Sequence, residues 1–186
     1  ALVPFFARIP LRTGWRGEMR HGLLNDIRLL DKERYPLMIE RFVALAYPAD
    51  APLPKPLPRP ALQSAAESAA GAMASHRLFL ERPVLALCPG AEFGPSKRWP
   101  AQRYAELAQT MIDRGWQVWL FGSANDAGVA DEIQAGLAEP EGRWCRSLAG
   151  KTSLGEAIDL LGLASCVVSN DSGLMHIAAA LKRPLV

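Results

Sequence analysis

Cys166-Val167-Val168-Ser169-Asn170-Asp171-Ser172-Gly173-Leu174-Met175-His176-Ile177-Ala178-Ala179-Ala180-Leu181 is the stretch on which the reading of this chain turns. It reads as a buried strand, a tight polar turn and a helix. Such a turn aims unpaired backbone N–H groups beyond the strand end, where phosphate is the natural visitor. A second corner of the same design lies upstream, where Val84-Leu85-Ala86-Leu87-Cys88 runs into Pro89-Gly90-Ala91-Glu92-Phe93-Gly94-Pro95-Ser96-Lys97-Arg98-Trp99-Pro100 and then a helix. One corner carries Lys-Arg and the other Asp-Ser-Gly and His. Together they suggest one anionic ligand held between loops at the carboxyl edge of a parallel sheet, and a nucleotide diphosphate fits.

Working outward, strands alternate with helices. A helix is expected over Gln63–Leu80, strands at Pro83–Cys88, Gln117–Phe121 and Cys145–Leu148, and helices over Pro100–Arg114, near Asp126–Leu137 and from Ser153. Pro100 in the first turn and Gly115 just past the end frame the second helix. Ser153 and Glu156 form a capping box. This alternation argues for an α/β fold, a parallel sheet covered by helices on both faces. Residues 48–60 hold six prolines, which exclude helix and central strand and favour an extended connector between two domains. Before it, Arg12-Thr13-Gly14-Trp15-Arg16-Gly17-Glu18-Met19-Arg20 reads as a glycine-punctuated basic loop, and Tyr35–Ala46 as an amphipathic helix. Arg8, Arg12, Arg16 and Arg20 fall four apart, but Pro10, Gly14 and Gly17 argue against the helix that spacing would need.

The 186 residues are 49% hydrophobic and 22% charged, enough for one good core and part of a second. The net charge of +2 is too small to argue for nucleic acid. It is unevenly spread: residues 1–60 hold 10 Lys/Arg against 6 Asp/Glu, and residues 61–186 hold 11 against 13, so an acidic partner is expected on the first part. Three cysteines, Cys88, Cys145 and Cys166, fit a reducing cytoplasm. No apolar run approaches the ~20 residues that span a bilayer, so membrane contact is expected to be peripheral. The start at Ala1 and the strand-like end Pro184-Leu185-Val186 read as an excerpt of a longer protein. Gly150-Lys151-Thr152 is not a P-loop, because Cys145 stands where its first glycine belongs. The chain shows no G-x-G-x-x-G, no nucleophile elbow around Ser172 and no metal spacing among His21, His76 and His176.

Four motifs taken in order, Arg12-Thr13-Gly14-Trp15-Arg16-Gly17, Pro89 to Pro100, Phe121-Gly122-Ser123-Ala124 and Asn170-Asp171-Ser172-Gly173-Leu174-Met175-His176, resemble the bacterial ADP-heptose:lipopolysaccharide heptosyltransferases, closest to the heptosyltransferase II branch. The resemblance runs over nearly the whole chain. Leu11 and Asn125 depart from it, where many members carry histidine and lysine. It implies a GT-B architecture of two Rossmann-like domains. Residues 1–47 would be the C-terminal part of the acceptor-binding domain, 48–60 a Pro-rich linker, and 61–186 the nucleotide-sugar-binding domain, truncated at its C-terminus. It further implies inverting transfer of L-glycero-D-manno-heptose from ADP-heptose to the inner-core heptose of lipopolysaccharide, at the cytoplasmic face of the inner membrane, without cofactor or metal. The rivals are a sugar-nucleotide epimerase of the same architecture and a non-catalytic nucleotide-sugar-binding module. The family's general base is an aspartate near the true N-terminus, so no residue here inherits that role.

On this resemblance Lys97 stabilises the leaving diphosphate. Gly90, Ala91, Glu92, Gly122, Ser123, Leu148, Asp171, Ser172, Gly173, Met175 and His176 join Lys97 in binding the donor. Asp171 is expected as N-cap or ribose ligand, leaving the amides of Ser172 and Gly173 for phosphate. Gly173 permits close backbone approach. His176 shares a face of the first turn with Ser172 and Gly173. Leu148 is expected in an apolar wall for the base, and Met175 against adenine or sugar. Glu92 would meet a sugar hydroxyl or serve as a carboxylate near the reaction centre, with an exposed loop charge as the plain alternative. Arg12, Arg16 and Arg20 would engage the acidic acceptor; a solvated basic loop is the plain alternative.

Overall fold

The computed structural model describes residues 1–91, 98–139 and 142–186. Its contacts divide the chain into two compact units, Ala1–Pro60 and Ala61–Val186.

In the first unit a short helix α1 (Leu2–Phe6) precedes two three-residue strands, β1 (Thr13–Trp15) and β2 (Asp26–Arg28), and a helix α2 (Met38–Leu45). The strands run parallel, Thr13 beside Asp26 and Trp15 beside Arg28. The glycine-punctuated loop expected at Arg12–Arg20 therefore contains a strand, while the rejected four-spaced arginine helix is indeed absent. Helix α2 begins three residues later than Tyr35. Pro36 keeps its predecessor out of helical geometry, and the Leu37 N–H is then met by the Glu40 carboxylate at 2.9 Å. Trp15 ties the pieces together: its Nε1 donates to the Arg41 carbonyl at 3.1 Å and its ring lies 6.0 Å from that of Tyr35. Residues 48–60 form neither helix nor strand.

The second unit opens with α3 (Ala66–Ser75), after which β3 (Val84–Cys88), α4 (Ala101–Asp113), β4 (Gln117–Leu120), α5 (Ala127–Ala135), β5 (Cys145–Ser147), α6 (Leu154–Leu161), β6 (Cys166–Ser169) and α7 (Gly173–Ala180) follow. The strands form one sheet in the order β5-β4-β3-β6, every pair parallel. The period of two along β3 explains the two faces. Val84, Ala86 and Cys88 pack with α3, α6 and α7, and Leu85 and Leu87 pack with α4 and α5. Burial on both sides is why these strands read as unbroken apolar runs. Leu185 bridges to Val167, parallel, as the expected start of a further strand. Helix α6 carries the capping box: Ser153 Oγ accepts from the Glu156 N–H, and Glu156 accepts from Ser153 N–H at 2.8 Å. Hydrogen bonds from the Ser153 N–H and hydroxyl to the Glu156 carboxylate hold it below its ordinary range. The α/β class with helices on both faces, inferred from strand-helix alternation, is what the structure shows.

Candidate functional site

The strand order places the sheet's topological switch between β3 and β6, the neighbours from which successive connections leave in opposite directions. Ligands of open α/β sheets bind in the crevice outside the strand ends at such a point. The two corners singled out in the sequence leave from this point: Cys88 and Ser169 are register partners, so Pro89 and Asn170 follow side by side. Glu92 and Lys97 of the β3 corner lie outside the described residues, as do Pro140 and Glu141 elsewhere.

At the β6 corner the N-cap of α7 is Ser172, with extended backbone and no capping hydrogen bond from its side chain. This corrects the expectation of Asp171 as cap: Asp171 stands one residue earlier, exposed, and Ser172 Oγ lies 3.2 Å from Ser169 Oγ instead of bonding the helix. The first-turn amides of Gly173, Leu174 and Met175 thus receive no acceptor from the cap residue, the condition for anion binding at a helix start. A Cβ placed on Gly173 would meet nothing within 4 Å among the described residues. Packing among the described residues therefore does not require glycine there, whereas a ligand seated on the amides would. His176 is exposed on the same turn and Met175 is half-buried beside it.

Gly90 and Gly122, at the ends of β3 and β4, converge on one side chain that sequence reasoning missed. Asp126 accepts from Ser123 N–H at 2.8 Å and Ser123 Oγ at 2.7 Å. A Cβ on Gly90 would lie 2.8 Å from that carboxylate, and one on Gly122 would lie 2.7 Å from Asp126 Cβ. Both glycines are needed to seat Asp126 at the sheet edge, whatever else they touch. Ala91 is buried, and its carbonyl accepts from Arg98 Nε and Nη2 at 3.3 and 3.1 Å. Leu148 is a correction: at 2% exposure its side chain belongs to the core around Phe121 and Leu160, so it cannot wall a nucleobase.

Among the expected acceptor residues, Arg12 donates to the carbonyls of Leu23 and Ile9, both at 2.6 Å, and Arg20 to that of Trp15 at 3.1 Å. Their guanidinium groups hold the first unit's own loops. Arg16 is exposed and makes no side-chain hydrogen bond or ion pair among the described residues. No group of three His, Cys, Asp or Glu side chains suited to a metal occurs among the described residues. No helix among them is long and apolar enough to cross a membrane. A groove of about 590 Å³ between α4 and α5 is lined by Glu106, Glu132 and Gln109, which is poor chemistry for a phosphate. Burial pushes the Cys88 thiol up to about 12, although Ser169 lies beside it, so this sulfur at the foot of the site stays protonated.

The family model for glycosyltransferase family 9 (heptosyltransferase) matches residues 1–186. Lipopolysaccharide heptosyltransferase 2 of Escherichia coli strain K12 is 56% identical over all of this chain and 55% of its own length. Lipooligosaccharide heptosyltransferase 2 of Haemophilus influenzae is 49% identical, again over all of this chain and 56% of its own. The solved structure of E. coli ADP-heptose lipopolysaccharide heptosyltransferase II superposes with a TM-score of 0.91 and 54% identity, over 99% of this chain and 57% of that one. The chain spans about half the length of the curated relatives it matches. A full-length family match, an identity near one half and a shared parallel sheet agree: this chain belongs to glycosyltransferase family 9, the heptosyltransferases.

Proposed function

We propose that the protein containing this chain moves L-glycero-D-manno-heptose from ADP-heptose to the inner-core heptose of lipopolysaccharide, with inversion, and that residues 61–186 carry the donor. The observation that supports this best is the pairing of Cys88 with Ser169, which sets the two anion-type corners side by side at the switch point of the sheet. The relatives' names add the substrate: they are heptosyltransferases of lipopolysaccharide and lipooligosaccharide. Residues 1–47 are read as part of the acceptor domain and 48–60 as the linker. The work is placed at the inner face of the inner membrane, where the acceptor is anchored and the protein binds peripherally.

Transfer breaks the bond between the anomeric carbon and the diphosphate oxygen, and that oxygen keeps the electron pair. The amides of Gly173 and Leu174 stabilise the growing charge because they are already oriented and unpaired by the cap residue. Lys97 adds a mobile positive charge from the other corner. An acceptor hydroxyl attacks the opposite face of the sugar and gives its proton to a base that no residue of this chain is assigned. Gly90, Ala91, Gly122, Ser123, Asp171, Ser172, Met175 and His176 surround the donor, Glu92 meets a sugar hydroxyl, and Arg16 is the arginine left free for acidic acceptor groups. Leu148 takes no part.

The test is to incubate the intact protein with ADP-heptose and a core acceptor lacking the second heptose, and to follow the acceptor's mass. One heptose is gained, and Lys97→Ala lowers turnover by about 10²- to 10³-fold with melting unchanged. Undiminished activity in that variant removes Lys97 from the reaction; isomerised donor without acceptor gain makes the protein an epimerase.

A further inference from the structure

Asn170 is one of three buried polar residues among those described, with 8% of its surface exposed, and every polar atom of its side chain is used. Its Nδ2 donates to the Pro89 carbonyl at 2.7 Å. Its Oδ1 accepts from the Trp99 N–H at 3.2 Å and from the Tyr104 hydroxyl at 3.1 Å. Its own N–H donates to the Cys88 carbonyl at 3.2 Å. Pro89 is the first residue after β3, Trp99 stands just before α4, and Tyr104 lies in the first turns of α4. A single carboxamide therefore holds both feet of the loop that carries Lys97, from a residue whose next neighbours in the chain are Asp171, Ser172 and Gly173.

We propose that Asn170 is a positioning residue for the donor site: it fixes the spacing between the β3 corner and the N-terminus of α7, so that the two converge on one diphosphate. The inference rests on the donor reading above. Asparagine is required because the position needs a donor toward Pro89 and an acceptor toward Trp99 and Tyr104 within one planar group. Aspartate keeps the shape and the acceptor but turns an ionised oxygen toward the Pro89 carbonyl, and apolar residues satisfy none of the three partners. Its side-chain polar atoms are all engaged by Pro89, Trp99 and Tyr104, so it acts through the chain segments it anchors. Misplacing a binding group by about 1 Å costs on the order of 10²-fold in rate.

The experiment compares Asn170→Asp, Tyr104→Phe and the double variant in the intact protein, with Ile133→Val, in the core around α5, as a control for lost stability. Calorimetry with ADP and steady-state kinetics are read together. Asn170→Asp raises the ADP dissociation constant and the donor KM at least tenfold and lowers kcat by about 10²-fold. Acceptor KM stays as in wild type. Tyr104→Phe, a smaller lesion that keeps the Trp99 bond, weakens ADP binding a few-fold, and its effect in the Asn170→Asp background is smaller than in wild type, because both act on one group. Ile133→Val lowers the melting temperature without changing either constant. If Asn170→Asp does not fold, Tyr104→Phe carries the test alone. Wild-type ADP affinity and kcat in the folded variants, or losses matched by Ile133→Val at equal stability, overturn the positioning role. Failure of the wild-type protein to bind ADP sinks the donor reading instead.

Discussion

Trp119, Phe121, Leu160 and Leu161 of the second unit are almost wholly buried in a hydrocarbon interior, whereas the first unit buries only Gly14, Leu24, Tyr35 and Ala44. What holds residues 1–60 is largely arginine bonded to backbone. Arg28 donates to the carbonyls of Ala44 and Tyr47 at 2.9 and 2.6 Å while pairing with Asp26 at 2.7 Å. Arg41 reaches the carbonyls of Tyr35 and Pro36, and Arg12 those of Leu23 and Ile9. The lesson concerns charge. The basic excess of the first unit reads, in sequence, as a surface for an acidic partner, yet much of it satisfies carbonyls that no regular sheet or helix satisfies.

The contrast is broken most forcefully from the apolar side. Trp119→Ala should cost the second unit about 3–5 kcal/mol in denaturant unfolding, while Ile27→Ala, 40% exposed in the first unit, should change stability by less than about 0.5 kcal/mol. Comparable losses would mean that both units depend on hydrocarbon alike. Arg28→Met comes next. Its side chain is only 14% exposed, and removing its charged hydrogen bonds should cost about 2 kcal/mol. Hydrogen exchange should rise at the Arg16 amide, which donates to the Arg28 carbonyl, and stay unchanged at that of Phe121 in the second sheet.

The smallest effect sharpens the comparison through pH. Hydrogen bonds from Arg28 and Thr13 hold the Asp26 carboxyl below its ordinary range. A lowered folded-state value contributes stability that is present above the unfolded pKa, near 4, and is lost as pH falls through the folded one. Asp26→Asn should therefore lower the melting temperature slightly at pH 7 and leave it unchanged at the acid end. An equal loss at both pH values would assign the effect to packing instead of charge.

How much of this was legible differs along the same line. The strand Cys166–Ser169 is read from sequence to the residue, because a strand buried on both faces is an unbroken apolar run ending in polar turn residues. The two corners were expected at one rim of the sheet; that their strands are direct neighbours is seen only in the structure. Strand β1 was not legible: three residues carry no periodicity, and Thr13 is extended only because Asp26 lies beside it. Leu148 was misread because the end of a strand looks the same in sequence whether its side chain turns into the core or toward a ligand. Asn170 was missed as an organiser because its partners are far away in the chain, Pro89 and Tyr104 lying 81 and 66 positions from it. The available signal was modest: a lone amide directly after an apolar strand has to find its hydrogen bonds somewhere.

We propose that the corners after β3 and β6 grip one diphosphate. A crystal of the protein soaked with ADP tests it most directly. Phosphate oxygens are expected about 3 Å from the amides of Gly173 and Leu174, beside the ends of β3 and β6. Density for ADP in the groove between α4 and α5, or on any surface away from the β3 and β6 ends, would contradict it.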